Sequence, residues 1–216
     1  MLTPIATGAE LTDEQLVSRI IKGETKLYEQ VIQKYNARMY RIGMAIVKDD
    51  AEIEDLMQNT YIKAYENLSK FEFKSAFGTW LVRIMINECL QFIKKKKKVP
   101  MDSLNEYSME TRSADNQTPA SITQNKELAR ALETALLELP EKYRLVFVMR
   151  EMEDMSVAET VQALDLTESN VKVRLNRAKS MLRDKLNNYY KSEQVFGFYL
   201  TRCNRVTQNV MAALHL

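Results

Sequence analysis

The chain has 216 residues, enough for one large domain or two small ones with real cores. A hydrophobic content of 45% excludes a disordered chain, and only 5 Gly and 4 Pro argue against a Gly-rich all-β fold and leave room for long helices. The net charge of +2 conceals an uneven distribution. Lys94 to Lys98 form a lysine run and a second basic set lies between Lys172 and Lys185, whereas acidic residues gather at Glu52 to Asp55 and in 102–115. Such segregation fits a polyanion on one surface and a basic protein partner on another. Cys89 and Cys203 are too few and too far apart for a disulfide framework, so a cytoplasmic setting is expected. Neither a signal peptide nor a bilayer-spanning stretch is legible, so membrane insertion is not expected.

In chain order, Thr12 and Gln15 have capping-box spacing ahead of Leu16, Val17, Ile20 and Ile21. Gly23 ends that first helix, and Thr25 is positioned to cap the next, whose apolar stripe is Leu27, Tyr28, Val31, Ile32 and Tyr35. After a break near Asp49–Asp50, a third stripe runs from Ile53 through Leu56, Met57, Thr60, Tyr61, Ala64 and Tyr65 to Leu68. Residues 69–75 lack a clean period and carry Phe71 and Phe73, an aromatic loop. A fourth helix presents Phe77, Trp80, Leu81, Ile84 and Met85 on one face, continues into the lysine run and stops before Pro100. Residues 99–125, rich in Ser, Thr, Asn, Gln and Pro with an acidic excess, read as a flexible linker.

Helices resume near Asn125, with a stripe from Leu128 to Leu139 that ends at Pro140 and a further one through Tyr143, Val146, Phe147 and Met149–Arg150. Ser156 and Glu159 make a second capping box, Asp165–Leu166 a tight turn suited to a left-handed backbone, and Thr167 a cap for a longer helix whose inward face is Val171, Leu175, Ala178 and Leu182. Residues 188–216 form a helical extension with apolar residues at near-heptad spacing. The expected fold is therefore all-α: two small helical domains, 1–98 and 126–187, joined by the acidic linker 99–125, the second a helix-turn-helix domain.

Two capped helices joined by a short turn leave one face of the second free, and that face carries Ser169, Lys172, Val173, Asn176 and Arg177. Arg and Asn suit base edges in a major groove and Lys suits phosphates, although a solvated helix face would look alike. On the fourth helix, Trp80, Arg83 and Asn87 roughly share a face and could hold an unstacked base, while plain core is the simpler reading of Trp80. The lysine run fits a polyanion or a solvated helix end. Asp55, Gln58 and Asn59 form a polar face open to solvent or to a protein. Enzyme signals are absent: His215 is the single histidine, no phosphate loop appears, and Cys203 with His215 falls short of a metal site. Neither a cofactor nor a metal is expected.

These residues resemble a known family, the small two-domain sigma factors of bacterial RNA polymerase, of the extracytoplasmic-function type. The resemblance rests first on Asp55-Leu-Met-Gln-Asn-Thr-Tyr-Ile-Lys-Ala-Tyr65, Phe71, Ser75-Ala-Phe-Gly-Thr-Trp-Leu-Val-Arg-Ile84 and Asn87. In the second half it rests on Leu139-Pro-Glu-Lys-Tyr-Arg144, Met155-Ser-Val-Ala-Glu159 and Thr167-Glu-Ser-Asn-Val-Lys-Val-Arg-Leu-Asn-Arg-Ala-Lys179. It spans roughly 12–187.

The resemblance implies a factor that binds core RNA polymerase and brings it to promoter DNA. Asp55, Gln58 and Asn59 would dock on the polymerase clamp. Phe71, Phe73, Lys74, Ser75 and Asn87, with Trp80 and Arg83, would act on a flipped base of the −10 element. Lys172, Val173, Asn176 and Arg177, beside Ser169, would read the −35 element, with Arg150 and Arg174 on phosphates. The linker would thread the RNA path of the polymerase.

Two positions depart from the family pattern. Val173 stands where a small polar residue is common and can touch only a thymine methyl. Gly78 stands where an aromatic is common, which would loosen the start of the fourth helix. The 188–216 extension fits packing on its own domain, or on a partner such as an anti-sigma protein. The alternatives are a dimeric helix-turn-helix regulator acting on palindromic sites without polymerase, and a helical adaptor that binds only proteins.

Overall fold

The computed structural model describes residues 11–98 and 121–190, and among them only helices and turns occur. Most of the acidic linker (99–120) and of the C-terminal extension (191–216) lies outside the described residues, as do Cys203 and His215.

The first half contains α1 (Asp13–Ile21), α2 (Tyr28–Ile46), α3 (Asp50–Glu66) and α4 (Phe77–Lys98). Thr12 and Gln15 form the expected capping box, and Gly23, at φ +108°, turns the chain out of α1. Thr25 does not cap α2; it opens a 3-10 turn, Thr25–Leu27, that leads into the helix without a side-chain cap. A second 3-10 turn, Leu68–Lys70, occupies the start of the segment expected to be loop. Asp13 anchors α1 on α2 by accepting from the Tyr35 hydroxyl and from Lys34 Nζ at 2.7 Å. Helices α2, α3 and α4 pack around Met39, Ile42, Ile53, Leu81 and Met85, all fully buried. Gly43 allows the close approach: a Cβ there would stand 2.6 Å from Met85 Cε and 2.9 Å from Ile53 Cδ1. Glu88, mostly buried, is paired with Lys63 across α3 and α4 at 2.6 Å.

The second half contains α5 (Ser121–Leu137), α6 (Glu141–Phe147), α7 (Val157–Leu164) and α8 (Glu168–Tyr190). Helix α5 begins four residues before the expected position near Asn125. The helix expected through Arg150 ends at Phe147 and passes into a π-helical turn, Val148–Met152, after which Asp154 takes a left-handed conformation. The widened turn brings the next residue, Glu153, inward, where only 3% of its side chain is exposed. Ser156–Glu159 is a complete capping box, Asp165 is left-handed at φ 53°, and Thr167 Oγ1 accepts from the Asn170 amide at 3.3 Å. Val171, Ala178 and Leu182 face inward as expected, with Leu175 half-buried.

The two halves pack on one another, and their buried apolar residues form one continuous cluster. Arg144 of α6, 2% exposed, donates to the carbonyls of Ala45 at the end of α2 (2.6 Å), of Leu137 at the end of α5 (2.9 Å) and of Leu139 (2.8 Å). Lys48 donates to the Leu137 carbonyl from the other side. A cation among helix C-terminal carbonyls meets both the unpaired acceptors and the negative end of the helix dipole. Burial still disfavours the charge and pulls the Arg144 guanidinium below its ordinary pKa.

Arg144→Ala would strand the carbonyls of Ala45 and Leu139, while Lys48 still donates to that of Leu137. We expect a loss of about 3 kcal/mol in urea unfolding, since hydrogen bonds from charged donors carry about 1.5–3 kcal/mol each. Burial pushes the Cys89 thiol up to about 12. Cys89 should therefore resist iodoacetamide at pH 8 in the folded chain and react once urea unfolds it, as read by peptide mass mapping.

Candidate nucleic-acid interface

Three surfaces hold the residues singled out from the sequence, and the helix ends position all three. The first is α8. Its N-terminal half is held by the Thr167 cap and by the short turn from α7, which leaves Ser169, Lys172, Asn176 and Arg177 exposed and Val173 44% exposed. A valine this open has no packing role here, so it is available for a thymine methyl. Lys172 pairs with Glu168 one turn away at 3.3 Å, an exposed contact that a phosphate could replace at little cost.

Arg177 is engaged by a residue that sequence reading missed: its Nη1 donates to the Tyr143 hydroxyl of α6 at 3.2 Å. That hydrogen bond, with Lys142 over the ring, lowers the Tyr143 phenol below its ordinary pKa. Arg174 is half-buried. Arg150 sits in the π-helical turn, and its Nε is the buried side-chain nitrogen that lacks a hydrogen-bond partner among the described residues. A buried donor in that condition is costly.

The second surface is a cavity of about 370 Å³ where the aromatic loop meets α4. Phe71, buried, forms its floor and packs on Phe73, Trp80 and Phe77 with ring centroids 4.7, 5.1 and 5.6 Å away. Phe73 does not line the cavity; it packs on Phe71, is 45% exposed and takes a left-handed conformation at φ 55°, costly for an aromatic residue and so held by its surroundings. Lys74, Ser75, Trp80 and Arg83 line the cavity as the sequence suggested, with Trp80 half-buried rather than core. Asn87 does not line it and is exposed one turn farther along α4. Lys70, Glu72, Thr79 and Gln162 were missed. Lys70 could have been inferred beside Phe71, whereas Gln162 belongs to α7 and has no local signal. Apolar walls, a few hydrogen-bonding edges and a cationic rim are what an unstacked base requires.

The start of α4 is not loosened by Gly78. Trp80 donates its amide to Ala76 at 3.1 Å, and a Cβ at Gly78 would stand 2.8 Å from the Tyr35 ring and 3.2 Å from Arg38 Nη1. The glycine lets α2 approach.

The third surface is α3, where Asp55, Gln58 and Asn59 are all exposed along one polar face beside the apolar Ile62 and Tyr65. The lysine run is partly neutralised: Lys96 lies 4.0 Å from Glu52 and over the Phe92 ring at 5.4 Å. No group of three or more potential metal ligands occurs among the described residues, and none of their helices is long and apolar enough to cross a membrane.

Comparison with known proteins gives the same two-part division. Residues 31–99 match the family described as Sigma-70 region 2, and residues 129–182 match Sigma-70, region 4, together more than half of the chain. The chain is 28% identical over 185 residues to the ECF RNA polymerase sigma factor SigW of Bacillus subtilis, covering 82% of this chain and 98% of the relative. It is 27% identical over 183 residues to the ECF RNA polymerase sigma-E factor of Haemophilus influenzae, covering 82% and 96%. Among solved structures, the fold is similar to CnrH in complex with the cytosolic domain of CnrY (TM-score 0.60, 21% identity, 82% of this chain and 97% of that one). It is also similar to the sigma factor RpoE bound to the anti-sigma factor NepR from Bartonella quintana (TM-score 0.61, 20% identity, 74% and 96%). With both regions matched in order on one all-helical chain, the protein belongs to the sigma-70 family of RNA polymerase sigma factors, in its extracytoplasmic-function branch.

Proposed function

We propose that the three surfaces divide the work of a transcription initiation factor, acting in the cytoplasm without catalytic chemistry of its own. The polar face of α3, with Asp55, Gln58 and Asn59, docks on core RNA polymerase. The exposed face of α8 enters the major groove of the −35 element. There Lys172, Asn176 and Arg177 read or anchor, Ser169 and Val173 make the smaller contacts, and Arg150 and Arg174 reach phosphates. The cavity of Phe71, Lys74, Ser75, Trp80 and Arg83 receives a base drawn out of the −10 element, and Phe73 and Asn87 contact the strand nearby.

One observation carries this reading: a helix-turn-helix with an open reading face lies on the same chain as an aromatic, cation-rimmed cavity. A regulator acting only through paired −35-like sites would have no use for the cavity. An adaptor that binds only proteins would have no use for either. By analogy with the RpoE relative solved with NepR, an anti-sigma protein is a further partner.

A pull-down with purified bacterial core polymerase tests the docking face. Stoichiometric binding is expected, weakened at least tenfold by Asp55→Arg and less by Gln58→Ala; no binding to core from the native or a closely related organism would refute the reading. With the holoenzyme formed, Lys172→Ala should weaken promoter binding about equally for all sequences and lower the slope of log K against log salt by about 1. Val173→Ala should instead alter the preference at a single −35 position, as a lost methyl contact does.

A further inference from the structure

Besides the bonds of Arg144 and Lys48, four polar contacts join the halves, three of them at Glu153 just before the helix-turn-helix. Glu153 is clamped from both sides. Arg38 Nε donates to its carboxylate and Arg38 Nη2 to its backbone carbonyl, each at 3.1 Å, and Arg41 Nε donates to the second carboxylate oxygen. The carboxylate is buried while both arginines are partly exposed. Farther along, Thr79 of α4 donates to Glu159 of α7 at 3.4 Å. These contacts lay α7 along α4, so that Gln162 becomes a wall of the base cavity.

The docked arrangement is incompatible with promoter use. Elements at −35 and −10 lie about 25 base pairs apart, roughly 85 Å at 3.4 Å per base pair. A compact body of this size is only about 40 Å across. In a bound helix-turn-helix the first helix crosses the DNA backbone beside the recognition helix. Helix α7 cannot do that at the −35 element while it walls the cavity meant for the −10 strand.

We propose, resting on the function assigned above, that this is a self-closed state of the chain and that Glu153 is its latch. Held by Arg38 and Arg41, it keeps α7 over the base cavity until the domains are drawn apart. The latch depends on two features peculiar to the local sequence. The π-helical turn delivers the Glu153 carboxylate inward, and Gly78 leaves room for Arg38 beside Tyr35. The clamp itself is polar, whereas the rest of the seam is the apolar cluster and the Arg144 bonds.

The test uses the full chain with Cys203→Ser and dyes on Gln91→Cys and Arg183→Cys, both exposed positions, one on α4 and one on α8. Single-molecule energy transfer should show one high-efficiency population for the otherwise native chain. Glu153→Gln, which conserves volume, should raise the low-efficiency fraction at least tenfold. Arg41→Gln, altered from the exposed side, should do the same, and the double variant should do no more than either single one, because one contact is broken in all three. Binding of a fluorescent oligo-dT strand should tighten several-fold in each variant. A native chain that is already extended, or variants that stay closed with native circular dichroism, would overturn the latch. Opening without tighter oligonucleotide binding would overturn its guarding of the cavity. These readouts need no polymerase, so they stand apart from the pull-down: a closed chain that opens on Glu153→Gln yet never binds core would sink the proposed function and leave the latch.

Discussion

A buried guanidinium bonded to backbone carbonyls holds the second domain together and joins it to the first. Arg144 reaches three backbone carbonyls, one of them across the domain boundary at Ala45. The carbonyls of Ala45 and Leu137 lie at helix ends, where the backbone has acceptors to spare and a partial negative charge. The position of α6 relative to α2 follows from it, and α8 packs on α6. The orientation of the reading face is thereby tied to the end of a helix in the other domain.

The same economy of helix ends recurs at the functional surfaces. Glu159 closes the capping box of α7 and also accepts from Thr79. The Ser156 backbone amide, which donates to its carboxylate, and the Ser156 hydroxyl beside it hold that group below its ordinary pKa. One side chain therefore starts the first helix of the helix-turn-helix and touches the helix that carries Trp80. The π-helical turn has a comparable double effect: it buries Glu153 against Arg38 and Arg41 and leaves Arg150 Nε without a partner among the described residues. Irregular turns of this kind often mark functional positions in helices.

The base cavity shows why an aromatic loop was chosen over a plain turn. Phe71 and Phe77 are sacrificed to the core so that Phe73 and Trp80 can stand beside them partly open. An apolar floor with cations at the rim suits the face of a base and the charge of its phosphate, and neither contact would demand a particular base. Sequence preference must then come from the few polar groups around the cavity, such as Ser75 and Thr79, and from α8.

How much was legible in advance follows the range of the interactions concerned. Both capping boxes, the left-handed Asp165, the Thr167 cap and the inward stripe of α8 involve residues within a few positions of one another, and the sequence by itself determined them. The aromatic loop, the exposed reading face and the family resemblance were legible for the same reason. Where local alternatives lie close in energy the reading failed: Thr25 entered a 3-10 turn, and the helix through Arg150 widened into a π turn at Phe147. Only the tertiary structure decided that Gln162 walls the cavity, that Tyr143 holds Arg177, and that Glu153 meets Arg38 and Arg41 across more than a hundred residues of chain. Those pairings depend on how two domains dock, and a charged residue on a helix reads as solvated surface until the facing element is in place.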